Sequence, residues 1–443
     1  MKIWFYPSRR IVHESLTAAW ILMMAWCAPV VHAATCYYTY GSTSGGVACI
    51  ELNDTTGEII RHEPLGPAEL SLPKKLAVSG DGRQLVVTSD EGTQAWVYQT
   101  KPEPQLLGTV TLEGKTEDVV ASQQSAFLVA TKGWFYWINL QTAKIEKSWN
   151  SRDGLNPPGR KGEDILMVPG KEQALVTFQK DSEKGKTLGS RILLFDLKSF
   201  TPVADLQLPR DHPGLHLGND MREQGPNPEL MFFAPKTNTL VVSLDLYGAL
   251  AFAELDAVMR GSWKRLQYMP CALSGGWGTA FPDRGLLFNS GDKEFLLVSN
   301  ASKQGGVILV DVGRRRVLQE FPAPAGAETP VLLPTAKTAV TVISGKVKSR
   351  GDSGVEAGLA PGNELLVFDL SPLDAYRPTS LTRIPWDKTL TRVDAINPAA
   401  NQLLLLLEGT DDAQTWVLYD LATRSVKWRE PVKGQVSRLV IHR

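Results

Sequence analysis

Apolar and polar positions along this chain follow the short rhythm of strands, not the turn of a helix. Brief runs rich in Val, Leu, Ile, Phe, Tyr and Trp are broken by segments rich in Gly, Asp, Asn and Pro. Such runs read as strands and such breaks as turns, so the chain is all-β. One element recurs: an apolar strand that closes on an acid or amide, usually followed by an aliphatic residue. It appears as "VACIEL" at Glu51, "AWVYQT" at Gln99, "FYWINL" at Asn139 and "ILLFDL" at Asp196. It returns as "LAFAEL" at Glu254, "VILVDV" at Asp311, "LLVFDL" at Asp369 and "WVLYDL" at Asp420. The eight copies stand 48, 40, 57, 58, 57, 58 and 51 residues apart. A short Asp, Asn or Glu side chain at a strand end accepts backbone N–H bonds from the turn that follows, which gives the recurrent residue a local role.

Each copy has another strand before it, such as "QLVVTSD" or "TLVVSLD", and a more polar, edge-like strand after it, such as "VADLQL" or "VKWREP". A fourth, innermost strand precedes seven of the copies: "KLAVSG", "DVVASQ", "DILMVP", "LMFFAP", "GTAFPD", "PVLLP" and "VDAINP". Four antiparallel strands per unit, repeated at this spacing, predict an eight-bladed β-propeller, or a seven-bladed one if a unit is an insertion. The first unit lacks an inner strand, and "RLVIHR" near residue 440 has no partners after it. Pairing that C-terminal strand with the N-terminal three closes the ring and removes its exposed edges.

The stretch "KLAVSGDGRQLVVTSDEGTQAWVYQ" (75–99) resembles the YVTN-type, WD40-like repeat of bacterial secreted propellers. The stretches "FYWINLQTAKIEKSW" (135–149) and "WVLYDLATRSVKW" (416–428) resemble the quinoprotein-like repeat, whose third strand runs into D-x-x-T-G-x-x-x-W. Ala143 and Arg424 stand where that repeat has Gly, and its docking Trp is present at Trp149 and Trp428. The resemblance covers the chain from residue 34 as architecture. It implies a propeller, and it makes a non-catalytic periplasmic scaffold role available by analogy.

Composition adds little. Lys+Arg and Asp+Glu both number 47, so no overall field selects nucleic acid or an anionic membrane. Residues 1–33 read as a signal peptide: Lys2, Arg9 and Arg10 are basic, Leu16 to Val31 is apolar, and Val31-His32-Ala33 is a small-residue cleavage site. Residues 34–443 are then a single propeller domain, exported to the periplasm or beyond, with no stable membrane insertion. Cys36 and Cys49 lie on two strands joined by "GSTSGG", and an oxidising compartment allows a disulfide between them. Cys271 is left over as a small hydrophobe.

The long connections are 150–163, 180–190, 209–229, 270–278 and 344–363. By propeller connectivity all five fall on one face, and long loops on a rigid scaffold are where binding resides. "RDHPGLHLGND" groups Asp211, His212, His216 and Asp220, the residue types of a metal or acid–base site. Trp277 in "SGGWG" is a candidate anchor, and Lys346, Lys348 and Arg350 in "GKVKSRG" form a basic patch for an anionic ligand or partner. The chain has no G-x-S-x-G, Walker A, Rossmann, H-E-x-x-H, C-x-x-C or C-x-x-C-H motif, so neither a catalytic residue nor a cofactor is named. The reading is a non-enzymatic propeller, a monomer or a subunit of a complex, that binds a protein or glycan partner through the long-loop face. The alternative is a periplasmic enzyme: a metal-assisted, lactonase-like hydrolase or the large subunit of an oxidoreductase such as an amine dehydrogenase. A hydrolase predicts carboxylates converging at the channel mouth with His212 or His216 beside them. A scaffold predicts an apolar mouth.

Overall fold

The computed structural model describes residues 33–442, apart from 42–43, 54–55, 67–68, 91, 157, 160, 180–189, 272–275, 303–304, 324–325, 334, 336, 352–353, 360–361, 398–400, 410–412 and 433. The signal peptide read at the N-terminus and the connection 180–190 therefore lie outside the described residues, save Ala33 and Ser190. So does the side chain of Arg350.

Eight antiparallel sheets, each of four main strands, form an eight-bladed propeller; the two-residue strand Leu70–Ser71 is added to the first. The inner strands of blades 2 to 8 are Pro73–Val78, Thr116–Ala121, Lys161–Met167, Pro228–Ala234, Pro282–Ser290, Val331–Leu333 and Leu390–Asn397. Blade 1 is built from both ends of the chain: Val436–His442 supplies its inner strand and pairs with Ala33–Tyr40. The expected closure is what the structure contains. In blade 6 the inner strand lies later than "GTAFPD", at Pro282–Ser290.

The buried side chains fall into eight clusters, and each lies between two neighbouring blades. A blade's two middle strands therefore face a core on both sides. That is why "QLLLLLE" (Gln402–Glu408) is apolar almost throughout where a half-buried strand would alternate. The outer strands, such as Ser380–Pro385, remain partly exposed.

The recurrent acid or amide acts as expected wherever it is short. Asn139, Asp196, Asp311, Asp369 and Asp420 each accept a backbone N–H from the following turn, at 2.7–3.1 Å. The longer side chains at two of the other positions do something else: Glu51 pairs with Arg61 and Glu254 with Arg265. Ala143 and Arg424 adopt the left-handed φ values of 52° that glycine would take in the resembling repeat. Trp428 docks across the seam, its Nε1–H donating to Gly57 O at 2.8 Å, and Trp149 packs on Phe195 of blade 4 at 5.0 Å.

The expected Cys36–Cys49 bridge is not formed. The strand register sets Cys36 opposite Ile50 and Cys49 opposite Tyr37, an offset of one residue. Side chains one residue apart in register point to opposite faces of a sheet. Cys36 is accordingly packed towards blade 8 and Cys49 towards blade 2.

Two outcomes follow. Deleting residues 435–443 strips blade 1 of its inner strand and opens a core shared with blade 8. Because domain stability is only about 5–15 kcal/mol, the truncated chain should lose the thermal unfolding transition of the full one; retention of that transition would refute the closure. Adding dithiothreitol should leave the midpoint unchanged.

Candidate functional site

In blades 1 to 6 and 8 the pairing of the inner strand with its neighbour shifts register near the start, a β-bulge. A bulge leaves a residue outside the ladder and re-aims its side chain. The residues at or beside these bulges are mostly charged: Lys74 and Lys75, Glu117 and Asp118, Glu163 and Asp164, Glu229, Asp283 and Arg284, Arg392, and Arg438. In blades 4 and 5 the bulged backbone is tied down the same way. Asp164 N–H donates to Thr177 Oγ1 at 2.9 Å, and Leu230 N–H to Ser243 Oγ at 3.0 Å. The charges act on one another across the ring: Asp118 feels Lys75 and Arg438, and Arg392 feels both Arg438 and Arg284. The mouth of the central channel is thus lined with charge.

Its arc from blade 3 to blade 6 is acidic. Lys161 pairs with Glu163 and stands 4.0 Å from Glu117. Asp164 accepts the Met231 N–H at 2.7 Å, linking blade 4 to blade 5. Burial raises the Asp118 carboxyl, and burial together with the neighbouring Asp118 charge raises that of Asp164 well above the ordinary range. The next three acids are gathered by one ammonium. Lys348 Nζ lies 2.6 Å from Asp283 Oδ1, 3.3 Å from Asp245 Oδ2 and 3.5 Å from Glu229 Oε1. Burial pushes Glu229 and Asp245 up to about 7, with neighbouring carboxylates adding to the rise and Lys348 opposing it. For Asp283 the upward push of burial is outweighed by Lys348 and Arg284, which bring it down to about 2.

Lys348 comes from a part of the chain expected to be a loop. Within 344–363 the structure has a hairpin, Lys346–Gly351 paired with Gly354–Leu359, inserted between the second and third strands of blade 7. It leans onto blade 6, where Lys348 N–H donates to Ala301 O at 2.6 Å. A pocket of about 340 Å³ lies beneath it, lined by Asp283, Arg284, Ala301, Lys346, Val347 and Lys348 among others. The expected basic patch is therefore divided: Lys346 faces this pocket and Lys348 is held by carboxylates.

The loop 209–229 is ordered by its own contacts. Arg222 binds Leu215 O at 2.6 Å and Leu217 O at 3.1 Å, and Leu215 and Leu217 are buried. His212 accepts the Gly214 N–H at 3.0 Å and rests edge-on against Tyr268, while His216 packs near Trp277. Asp211 and Asp220 are exposed, Asp220 in the first turn of the short helix Asn219–Gln224. No group of three or more His, Cys, Asp or Glu fit to hold a metal occurs among the described residues. The mouth matches neither expectation in full: carboxylates do converge there, but they are partnered by lysines, and His212 and His216 pack elsewhere.

The residues lining the channel were missed in the sequence reading, although a signal is present. "KKL", "EDV", "EDI", "DRG", "TRV" and "SRL" place a charge just before the apolar part of an inner strand in unit after unit.

Fold and channel define the class, an eight-bladed β-propeller. No protein-family model matches the sequence, and no curated protein matches it. Solved structures do. Dihydro-heme d1 dehydrogenase NirN, in complex with DHE, is similar at 14% identity over 93% of this chain and 75% of that one, with a TM-score of 0.65. The periplasmic gluconolactonase PpgL of Pseudomonas aeruginosa shares 15% identity over 92% of this chain and 98% of its own, TM-score 0.50. BamB of Moraxella catarrhalis shares 12% over 83% and 88%, TM-score 0.51. At these identities the likeness is one of fold.

Glu229 and Asp245 hold protons more firmly in the folded protein than unfolded, so their contribution to stability is complete below about pH 4 and is lost as pH rises through about 7. Replacing Glu229 by Gln should shrink the fall in melting temperature between about pH 5 and about pH 8. Replacing Lys348 by Met removes the one ammonium that three carboxylates share. It should cost about 3 kcal/mol at about pH 8 and less at about pH 5. Equal losses at both pH values would contradict this charge assignment.

Proposed function

We propose that the protein is an exported, non-catalytic propeller that receives a protein or glycan partner on its long-loop face, with the channel mouth as the centre of the contact. The observation that carries this reading is the hairpin of blade 7, which reaches over the mouth to Lys348 and roofs a pocket of about 340 Å³. The connections around His212, His216 and Trp277 belong to the same face by topology, and Asp211, Asp220 and Lys346 extend its polar surface. A rigid ring bearing long connections on one face suits binding more than chemistry. Export rests on the signal peptide read at residues 1–33. Among the described residues no helix is long and apolar enough to cross a membrane.

One observation favours the enzymatic reading: Glu229 and Asp245 are poised near 7 at the mouth, the range a general acid or base needs. Both, however, are in contact with the Lys348 ammonium.

The test is affinity capture from an extract of the source's exported fraction, with three forms of the full-length protein. The unaltered protein should retain a specific partner. Trp277→Ala, together with replacement of 346–359 by a Gly-Ser turn of equal length, should abolish retention. A change on the opposite face, Lys337→Ala, should not. Retention that survives the first pair of changes would sink the proposal.

A further inference from the structure

The opposite arc of the channel, walled by the inner strands of blades 7, 8 and 1, has a different chemistry. A pocket of about 150 Å³ opens there, lined by Glu328, Thr329, Val331, Arg392, Asp394 and Arg438 among others. Arg438 is exposed to it. The Arg438 backbone is fixed, its N–H donating to Thr39 Oγ1 at 3.1 Å, but its guanidinium makes no ion pair among the described residues. Arg392 spends one nitrogen on a long bond to Ser437 O at 3.4 Å. Glu328 is buried, with Oε2 held by Arg284 and Oε1 lacking any hydrogen-bond partner among the described residues.

Two features need a ligand to complete them. Two guanidiniums share the pocket with a third behind them. Burial pushes Arg392 down to about 10, Asp394 opposes that fall, and Arg438 and Arg284 add to it. A negative charge placed between Arg392 and Arg438 relieves this repulsion, and a planar fork matches a carboxylate two bonds at a time. The buried acceptor Glu328 Oε1 needs a donor, and a hydroxyl supplies one. The pocket contains two carboxylates as well as two guanidiniums, Glu328 and Asp394 against Arg392 and Arg438. A dianionic phosphate would be repelled by both acids. A monoanion that also offers hydroxyl donors suits all four. A dry cavity of about 150 Å³ holds a six-membered ring, so the space accepts a carboxylate with the atoms attached to it.

We propose that this pocket binds the carboxylate end of a hydroxylated acid, the chemistry of a sugar-acid residue, with the carboxylate between Arg392 and Arg438 and a hydroxyl donated to Glu328. The inference rests on the reading of the channel mouth as a binding surface and gives that surface a ligand class.

Calorimetric titration of the full-length protein tests it with three probes: glucuronate, glucose and inorganic phosphate. Glucuronate should bind saturably, with glucose and phosphate at least tenfold weaker. Arg438→Gln, an exposed position whose change leaves the fold intact by melting temperature, should weaken glucuronate at least tenfold. Arg438→Lys should restore only part of the affinity, since an ammonium lacks the two-pronged geometry. Three results each overturn the proposal: no glucuronate binding, phosphate binding as tight as glucuronate, or no effect of Arg438→Gln. Partner capture by the unaltered protein that persists without glucuronate binding would overturn this inference alone and leave the partner-binding reading standing.

Discussion

Everything in this molecule depends on one antiparallel pairing, between Val436–His442 and Ala33–Tyr40. No blade has a core of its own, because each buried cluster is shared by two neighbours. A ring of shared interfaces cannot end without exposing two of them, and an exposed middle strand such as Gln402–Glu408 would be an apolar sheet face in water. The seam is reinforced from outside the ladder. His62 links Tyr38 at 2.7 Å to Glu430 at 3.0 Å, Trp428 reaches Gly57, and Tyr38 packs edge-on against Trp416. The contacts of His62 with Glu430 and of Trp428 with Gly57 join residues 368 and 371 positions apart in sequence, without a covalent link.

The same geometry makes the channel. Eight inner strands converge on one axis, and a bulge at the start of most of them turns a charged residue towards it. The result is a mouth with two kinds of surface. The arc from blade 3 to blade 6 holds carboxylates satisfied by Lys161 and Lys348. The arc from blade 7 to blade 1 holds the guanidiniums of Arg392 and Arg438, which make no ion pair among the described residues. Internal lysines quiet the first arc, and the second is left with donors to offer. The hairpin of blade 7 connects the two, since Lys348 serves the acidic arc while Lys346 faces the pocket beside Arg284.

Architecture was legible in the sequence because it is repeated. A strand closing on an acid or amide eight times over is a signal that no single copy carries, and at the five Asp and Asn positions the structure gives its cause in the turn bonds. The failures share a different cause. Cys36 and Cys49 were paired by proximity along the chain, but one residue of register decides which face a side chain takes, and register is not written in the turn "GSTSGG". The hairpin at 346–359 is polar and glycine-rich, so its composition reads as a loop while its backbone pairs. The channel charges sit where strand ends are ordinarily polar. Only convergence on an axis, a property of the closed ring, distinguishes Glu229 or Arg438 from any solvated residue.

The split blade also sets a clock. A ribosome or an export channel delivers this chain from its N-terminus, and Ala33–Tyr40 is among the first strands to appear. Its partner Val436–His442 is the last. Seven blades can gather their strands as they emerge, but the circle stays open until Val436–His442 follows them. The closed ring therefore forms only after that strand has emerged. Until then the Ala33–Tyr40 edge stays bare and must be kept from pairing with another chain.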